Sequence, residues 1–323
     1  MMTPFILKRV AHAVGVLWAT FTAAFLLLYI LPGDAALSKM NLGAGGSGFS
    51  VEALAKMRAD MGLDRPAWQQ YIRALWHALH GDFGVSVQTG QDALRMFATG
   101  IPETLKLAAL ALLLGLALGS GIALLGAYTR SSAVRAVVSW LPVVGVSIPS
   151  FWIGLIFLQI FSFEFKWLPG MGNDGLASLV LPATVLAIPT AALIAQILSR
   201  SLNAILPSAY IITAKGHGAS RLRRLLSHAL RNAVIPVVTA LGMTTGNLIA
   251  GSVVVETVFS RSGIGLLTVK AVLFQDTPIV LVAVLFAATV FVIANLLVDI
   301  LYPFIDPRIE IGVRRPKIMG PTL

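Results

Sequence analysis

The chain has 323 residues, of which 57% are hydrophobic and 12% charged, and its mean hydropathy is +0.86. This composition lies outside the range of soluble globular domains, so a soluble enzyme or soluble binding module is excluded. The sequence contains no cysteine, which excludes disulfides and thiolate metal sites, and its net charge of +10 needs an explanation from the placement of the basic residues.

Six apolar stretches are each long enough to cross a bilayer as a helix, which takes about 20 residues. They are residues 10–31, 102–128, 134–163, 179–198, 234–259 and 278–304. Stretches of this length exceed barrel strands, so the sequence predicts an all-α polytopic membrane protein with six transmembrane helices in one domain, residues 1–323. The first stretch is too long for a signal-peptide core and has no A-x-A site near its end, so we expect a retained anchor.

Residues 34–101, between the first two stretches, are predicted to form an extracytoplasmic helical insert. Ser50 and Gly62 bound one predicted helix, residues 51–61. A second predicted helix covers residues 66–80, and its apolar residues recur at helical spacing. They are Trp68, Tyr71, Ile72, Leu75, Trp76 and Leu79. We expect this helix to lie on the membrane surface or to pack on the transmembrane helices.

The basic residues are distributed unevenly between the loops. Residues 34–101 carry six basic and six acidic side chains, whereas residues 200–233 carry six basic ones and no acidic one. The positive-inside rule places residues 200–233 and both termini in the cytoplasm. The positive charge therefore reflects membrane topology, and a nucleic-acid partner is not expected.

Glycine and proline mark several positions within the apolar stretches. Gly115 and Gly119, like Gly242 and Gly246, have the small-xxx-small spacing that allows close helix approach, although glycine is common in membrane helices. Pro149 is predicted to kink the third stretch. Pro182 and Pro189 mark the fourth stretch in the same way.

The basic segment 200–233 has the local signals of two short helices. The first is predicted to end near Lys215, where Gly216 and Gly218 break it, and Ser220 is predicted to cap a second helix over residues 221–232. One stripe of that helix is apolar, consisting of Leu222, Leu225, Leu226, Ala229 and Leu230. A basic helix lying on the inner leaflet and a docking element for a partner protein both fit this pattern. The paired glycines favour docking, because a bare turn allows another surface to approach.

Polar residues within the apolar stretches are candidates for function. Glu164, Glu256 and Asp299 lie near predicted span ends, where we expect them to reach water. Thr244, Thr245 and Asn247 form the most polar patch inside a stretch and are predicted to line a pathway. No H-E-x-x-H, G-x-S-x-G or paired intramembrane acids occur, so no catalytic residue, cofactor or metal site is predicted. His77 and His80 are interpreted as outer polar residues of their helix.

The sequence resembles the permease subunits of the dipeptide/oligopeptide/nickel class of binding-protein-dependent ABC importers. The cytosolic motif of that family is matched at Thr213, Ala214, Gly218, Ser220, His228, Leu230, Arg231, Asn232, Ala233 and Pro236. Further matches over almost the whole length are L-P-G-D from Leu31, G-L-D-R-P from Gly62, G-D-F-G from Gly81, P-S-F-W from Pro149, V-E-T-V-F from Val255, N-L-L-V-D from Asn295 and D-P-R from Asp306. The chain departs from the motif at Ala209, Ile212, Gly216, His217 and Ser227.

The resemblance implies a type I ABC importer permease fold and a non-catalytic subunit in a bacterial inner membrane. Residues 200–233 would then be a coupling loop that contacts the ATPase through Ala214, Lys215, Gly216, His217, Gly218, Ala219, Ser220, Arg224, His228, Arg231 and Asn232. The implied partners are two ABC ATPase subunits or domains, a second homologous permease, an extracytoplasmic solute-binding protein and membrane lipid. The absence of a G-x-x-x-x-G-K-[ST] phosphate loop agrees with a separate ATPase.

The implied substrate is a di- or oligopeptide, with nickel or a metal–chelator complex as the alternative. Residues 167–172, W-L-P-G-M-G, are somewhat similar to the nickel branch of the family. A stand-alone secondary transporter is the competing function class. Such a protein would not need the cytosolic motif and would more often show inverted repeats or a charge at the membrane midplane, and we see neither in this sequence.

Overall fold

The computed structural model describes residues 2–30 and 65–305 of the chain, so the predicted helix over residues 51–61 lies outside the described residues. Eleven helices follow one another in the described part. They are α1 (Met2–Phe25, continued by the π-helical turn Leu26–Ile30), α2 (Ala67–Leu79), α3 (Ala93–Tyr128), α4 (Ser132–Ser147), α5 (Ser150–Phe157, continued by the π-helical segment Leu158–Glu164), α6 (Ala177–Ile205), α7 (Ala209–Gly216), α8 (Arg221–Arg223, the π-helical segment Arg224–Ala229 and Leu230–Ala233), α9 (Ile235–Val258), α10 (Ile264–Leu273) and α11 (Thr277–Ile305).

The membrane-spanning helices agree with the predicted all-α architecture. Four segments are long and apolar enough to span a bilayer: Arg9–Leu28, Ala93–Tyr128, Ala177–Ile205 and Thr277–Ala294. Two bent pairs of helices pass the same length and composition test only when taken together, Ser132–Ser147 with Ser150–Glu164 at 99° and Arg221–Ala233 with Ile235–Gly242 at 42°. The described residues therefore contain up to six spans.

Proline acts differently in different spans. At Pro149 the predicted kink is a full break, because the preceding Ile148 takes an extended conformation (φ −93°, ψ 126°), as residues before proline prefer. Pro182 and Pro189 instead lie inside the continuous helix α6. Pro102, the first residue of the second apolar stretch, lies inside helix α3. The helix starts at Ala93, where the Asp92 carboxylate accepts the N–H of Arg95 at 2.8 Å.

Helices α3 and α6 approach each other closely at two glycines of α3. A Cβ atom added at Gly115 would lie 2.6 Å from Cγ2 of Thr190, and one added at Gly119 would lie 2.5 Å from the carbonyl oxygen of Ala191. Cβ atoms essentially never lie this close to their neighbours. The close approach predicted for the Gly115–Gly119 pair is therefore confirmed.

Glu256, in the last turn of α9, does not reach water. It is 1% exposed, and its carboxylate accepts the Thr104 hydroxyl at 2.5 Å. Its other oxygen accepts two N–H groups from the first turn of α10, those of Gly265 at 2.7 Å and Leu266 at 3.2 Å. A helix N-terminus has unpaired N–H groups and favours a negative charge, so the carboxylate holds the α9–α10 corner against α3. The expectation that Glu256 reaches water was wrong.

Arg261, which follows α9, is also buried (1% exposed). Its guanidinium donates to the carbonyl oxygens of Gly172 at 3.0 Å and Ser178 at 3.1 Å, and to Glu103 Oε2 at 3.0 Å. These partners belong to the loop before α6, to α6 itself and to α3. Arg261 and Glu256 together therefore fasten one end of the helical bundle. Glu164 is exposed as predicted, and the side chain of Asp299 lies outside the described residues.

Candidate functional site: the insert between α6 and α9

The turn between α7 and α8 is defined by its backbone hydrogen bonds. The N–H of Gly218 donates to the carbonyl oxygen of Lys215 and that of Ala219 to Ala214, both at 3.0 Å. This pair of bonds is a Schellman motif, which places its penultimate residue in the left-handed region. Gly218 has φ +82°, a value that side-chain-bearing residues rarely adopt, whereas Gly216 is the last residue of α7 and has ordinary helical geometry. The predicted break is confirmed, and Gly218 is the residue that needs to be glycine.

Ser220 begins the second helix of the insert as predicted. Its Oγ accepts the N–H of Arg223 at 3.3 Å. The helix then continues through a π-helical segment to Ala233, where it meets α9 at 42°. Pro236 lies in the first turn of α9, where its missing N–H costs no hydrogen bond. The insert is therefore continuous with the span that follows it.

One face of the insert is built into the bundle. Its buried residues form an apolar cluster with residues of α3, α6 and α9. The cluster contains Ala123, Ile194, Leu198, Leu202, Ile211, Leu225, Ala229, Ala233 and Val237. The predicted single stripe of α8 is therefore split. Leu225 and Ala229 are buried and Leu230 is half-buried, whereas Leu222 and Leu226 are 50% and 44% exposed.

Arg221 ties the insert to the end of α3, a contact that the sequence did not reveal. Its Nη2 donates to the carbonyl oxygens of Ala127 and Thr129, both at 3.2 Å. Its guanidinium lies 5.6 Å from the ring centroid of Tyr128. A cation at a helix C-terminus satisfies free carbonyls and interacts favourably with the helix dipole. Movement of the insert would therefore be transmitted to α3 through polar as well as apolar contacts.

Most of the predicted coupling residues lie on the open side of the insert. Lys215, Gly216, His217, Gly218, Ser220, Arg231 and Asn232 are exposed, and Ala214, Ala219, Arg224 and His228 are half-buried. Asn232 is also tied to α7, since its Nδ2 donates to the hydroxyl of Tyr210 at 3.0 Å. Apolar Ile212, 61% exposed, lies in α7 between the turn and Tyr210. The open side of the insert thus combines a glycine turn, basic groups and apolar side chains.

The three predicted pathway residues differ in their surroundings. Thr244 is buried, and its hydroxyl donates to the carbonyl oxygen of Ala240 one turn earlier in α9. Thr245 makes the same kind of bond to Leu241. Asn247 is exposed and lines a largely apolar cavity of about 400 Å³ among α3, α9, α10 and α11. The assignment of these residues to a pathway remains a prediction.

His77 and His80 use their Nδ1 atoms in local contacts. His77 lies 2.8 Å from Asp82 Oδ2, and His80 lies 2.8 Å from the carbonyl oxygen of Trp76. The N–H of Gly84 and the His77 ring lower the pKa of Asp82 below its ordinary value. In the part of the chain that the structure describes, no three His, Asp or Glu residues are grouped so that they could hold a metal ion.

Comparison with known families shows which family the chain belongs to. Residues 96–311 match the family described as binding-protein-dependent transport system inner membrane component, and residues 2–108 match the N-terminal region of such components. The chain belongs to this family. It is therefore a multi-pass inner membrane component of ABC transport systems, and this permease contains the insert within the matched region.

Two named relatives match the permease over almost its whole length. One is a Brucella melitensis protein that is named provisionally as a permease of a peptide transport system. It is 37% identical to this chain, and the match covers 96% of this chain and 99% of the Brucella protein. The dipeptide transport system permease protein DppB of Escherichia coli K12 is 32% identical, again covering 96% of this chain and 99% of its own.

Solved structures support the fold of the permease. A chain of the MetNI methionine ABC transporter matches with a TM-score of 0.54 and 18% identity, over 65% of this chain and 96% of that one. A chain of an amino acid ABC transporter crystallised with histidines matches with a TM-score of 0.50 and 20% identity, over 65% and 94%. At this identity the likeness concerns the fold, which is the permease fold of ABC importers.

Proposed function

We propose that this permease forms half of the translocation pathway of an ATP-driven peptide importer and that its insert receives the force of ATP binding from a cytosolic ATPase. The observation that carries the proposal is the construction of the insert. Its buried face is continuous with α3, α6 and α9, and Arg221 holds the end of α3, while the glycine turn stays open. A partner pressing on the open side would therefore move three spans.

The packing of the insert favours a protein partner over the inner leaflet. A basic amphipathic helix on a membrane would direct its apolar residues to the lipid. Here the buried half of the apolar stripe, Leu225 and Ala229, packs on the permease itself. Gly218 itself has no side chain, so another surface can approach the backbone there.

The first experiment replaces Gly218 with valine and uses Gly216→Ala as the matched control. Nothing lies within 4 Å of a Cβ added at either position, so neither change creates a clash inside the chain. Valine at φ +82° is strained by about 1–3 kcal/mol and alters the turn, whereas alanine suits the helical position 216. We expect Gly218→Val to abolish solute-stimulated ATP hydrolysis by the reconstituted complex while the amount of inserted protein is unchanged.

The Gly216→Ala complex should keep its solute stimulation. Normal stimulation in the Gly218→Val complex would contradict the role of the turn. Loss of stimulation in both variants would point to a general fault of the insert.

The peptide substrate is inferred from the names of the relatives, two of which are assigned to peptide or dipeptide systems. Nickel or a metal–chelator complex is the alternative, so the experiment must separate the two. The co-expressed solute-binding protein is purified without added ligand and its contents are analysed by mass spectrometry and by metal analysis. Bound di- or oligopeptides support the proposal, and stoichiometric nickel contradicts it.

The proposed partners are a second homologous permease, two ATPase subunits or domains and an extracytoplasmic solute-binding protein. Both termini and the insert are proposed to lie on the cytoplasmic side, in agreement with the basic residues of the segment 200–233. Purification from native membranes should recover ATPase subunits with the permease. Recovery of a lone chain that transports without ATP would favour a secondary transporter instead.

A further inference from the structure

Helix α2 has a wide apolar surface, of which the bundle covers only part. Tyr71, Ala74, Leu75 and Ala78 pack on a cluster of α1 and α11 residues that contains Phe21, Phe25 and Leu281. A second stripe, offset from the first around the helix, is open. It consists of Trp68 (63% exposed), Ile72 (57%), Trp76 (64%) and Leu79 (73%). At 3.6 residues per turn these four residues lie on one face.

The polar residues of α2 are collected on the remaining face. Gln69, Arg73 and His77, with His80 just after the helix, follow one another at spacings of three and four residues, and they lie next to the open stripe rather than within it. The helix therefore offers three faces to three surroundings. One contacts the bundle, one is suited to water, and the stripe Trp68–Ile72–Trp76–Leu79 needs an apolar environment.

The level at which α2 is attached indicates what that environment is. The Tyr71 ring packs on Phe21 and Phe25, with centroid distances of 5.8 and 5.3 Å, and its hydroxyl lies 2.8 Å from Thr22 Oγ1. The apolar span of α1 reaches at least to Leu28, six residues after Thr22, which corresponds to at least about 9 Å along a helix. Leu281 likewise lies within the apolar length of α11, Thr277–Ala294. The packed face of α2 is thus inside the thickness that the spans assign to hydrocarbon.

An amphipathic helix at this level has its apolar face about 5–10 Å below the headgroups. Tryptophan prefers this region, because its ring is apolar and its indole N–H can reach polar groups. On α1 itself Trp18 and Leu27 are 57% and 61% exposed, so α1 also has an open apolar surface.

We propose that the stripe Trp68–Ile72–Trp76–Leu79 is a lipid-binding surface that seats α2 at the acyl–headgroup boundary, at the end of the bundle opposite the insert. Its ligand is the bilayer itself, through the acyl chains and the ester and headgroup region. The helix anchors the segment that leads into α3, and so fixes the height of this end of the permease in the membrane. The proposal depends on the packing of α2 and not on the identity of the transported solute.

The test uses the absence of cysteine from the chain. Ile72→Cys and Leu79→Cys place a nitroxide label on the stripe, and Gln69→Cys and Arg73→Cys place it on the polar face of the same helix. Each labelled full-length permease, with its co-purified partners, is reconstituted into liposomes of phosphatidylethanolamine and phosphatidylglycerol. Accessibility to molecular oxygen, which concentrates in lipid, and to a water-soluble nickel chelate is then measured by electron paramagnetic resonance.

If the proposal holds, labels at positions 72 and 79 are several-fold more accessible to oxygen than to the nickel chelate. Labels at positions 69 and 73 are then more accessible to the nickel chelate than to oxygen. High nickel-chelate accessibility at 72 and 79 would mean that the stripe faces water and would overturn the proposal. Low accessibility to both reagents would mean that protein covers the stripe, either residues 31–64 of this chain or a partner subunit, and would overturn it equally. Each face is labelled at two positions, so the comparison can still be made if one variant folds poorly.

Discussion

Replacing Gly119 with alanine tests the close contact between helices α3 and α6. Gly121, two residues later in α3, provides the control, because nothing lies within 4 Å of a Cβ added there. In a helix without neighbours, alanine is more favourable than glycine by about 1 kcal/mol. The Gly121→Ala variant is therefore expected to be as stable as the wild type or slightly more stable.

At Gly119 the added methyl group would lie 2.5 Å from the carbonyl oxygen of Ala191 and 2.9 Å from Cβ of Ile194. The first neighbour is backbone and the second is the root of a branched side chain, so neither can rotate away. Helices α3 and α6 must then move apart, and overpacking of this kind costs about 1–3 kcal/mol. We expect Gly119→Ala to be less stable than Gly121→Ala by about that amount.

The assay is thermal unfolding of the purified permease in detergent, followed by the loss of its monodisperse size-exclusion peak. Since 1 kcal/mol shifts the Tm of a large domain by about 2–4 °C, a difference of about 1–3 kcal/mol should separate the two variants by roughly 2–12 °C. A Gly119→Ala variant with a Tm equal to or above that of Gly121→Ala would show that the spans do not meet at this glycine.

Two further predictions concern the two ends of the bundle. Glu256→Ala removes a buried carboxylate that accepts three hydrogen bonds, and it should lower the free energy of unfolding by at least about 2 kcal/mol. The control Glu164→Ala changes an exposed site and should alter the Tm little. Equal effects of the two substitutions would refute the anchoring role of Glu256. Arg221→Met should reduce the ratio of solute-stimulated to basal ATP hydrolysis more than Arg221→Lys, because methionine keeps the apolar stem and loses every donor to the end of α3. An unchanged ratio in the methionine variant would show that the polar contact does not transmit movement.

Apart from the close approach at Gly115 and Gly119, the features that the sequence predicted correctly are local ones. An apolar stretch of about 20 residues is sufficient to indicate a membrane helix, whatever surrounds it. The glycine turn and the Ser220 cap are also determined within a few residues, because the Schellman bonds join residues at most five apart. Pro149 illustrates the limit of such signals. Its sequence context predicted a kink, whereas the structure has a full break of 99° with Ile148 in an extended conformation.

The tertiary structure decided the features that depend on distant contacts. Glu256 looked like a residue at a span end that reaches water, yet its partner Thr104 is 152 residues away in the chain and buries it. Arg221 is one of several arginines in a basic segment, and only the position of the end of α3, 94 residues earlier, distinguishes it. The spacing of Gly115 and Gly119 allowed a close helix contact, but only the structure shows that Gly119 faces α6 whereas Gly121 faces open space. Backbone signals act through neighbours along the chain, whereas burial and long-range hydrogen bonds are set by which helix faces meet.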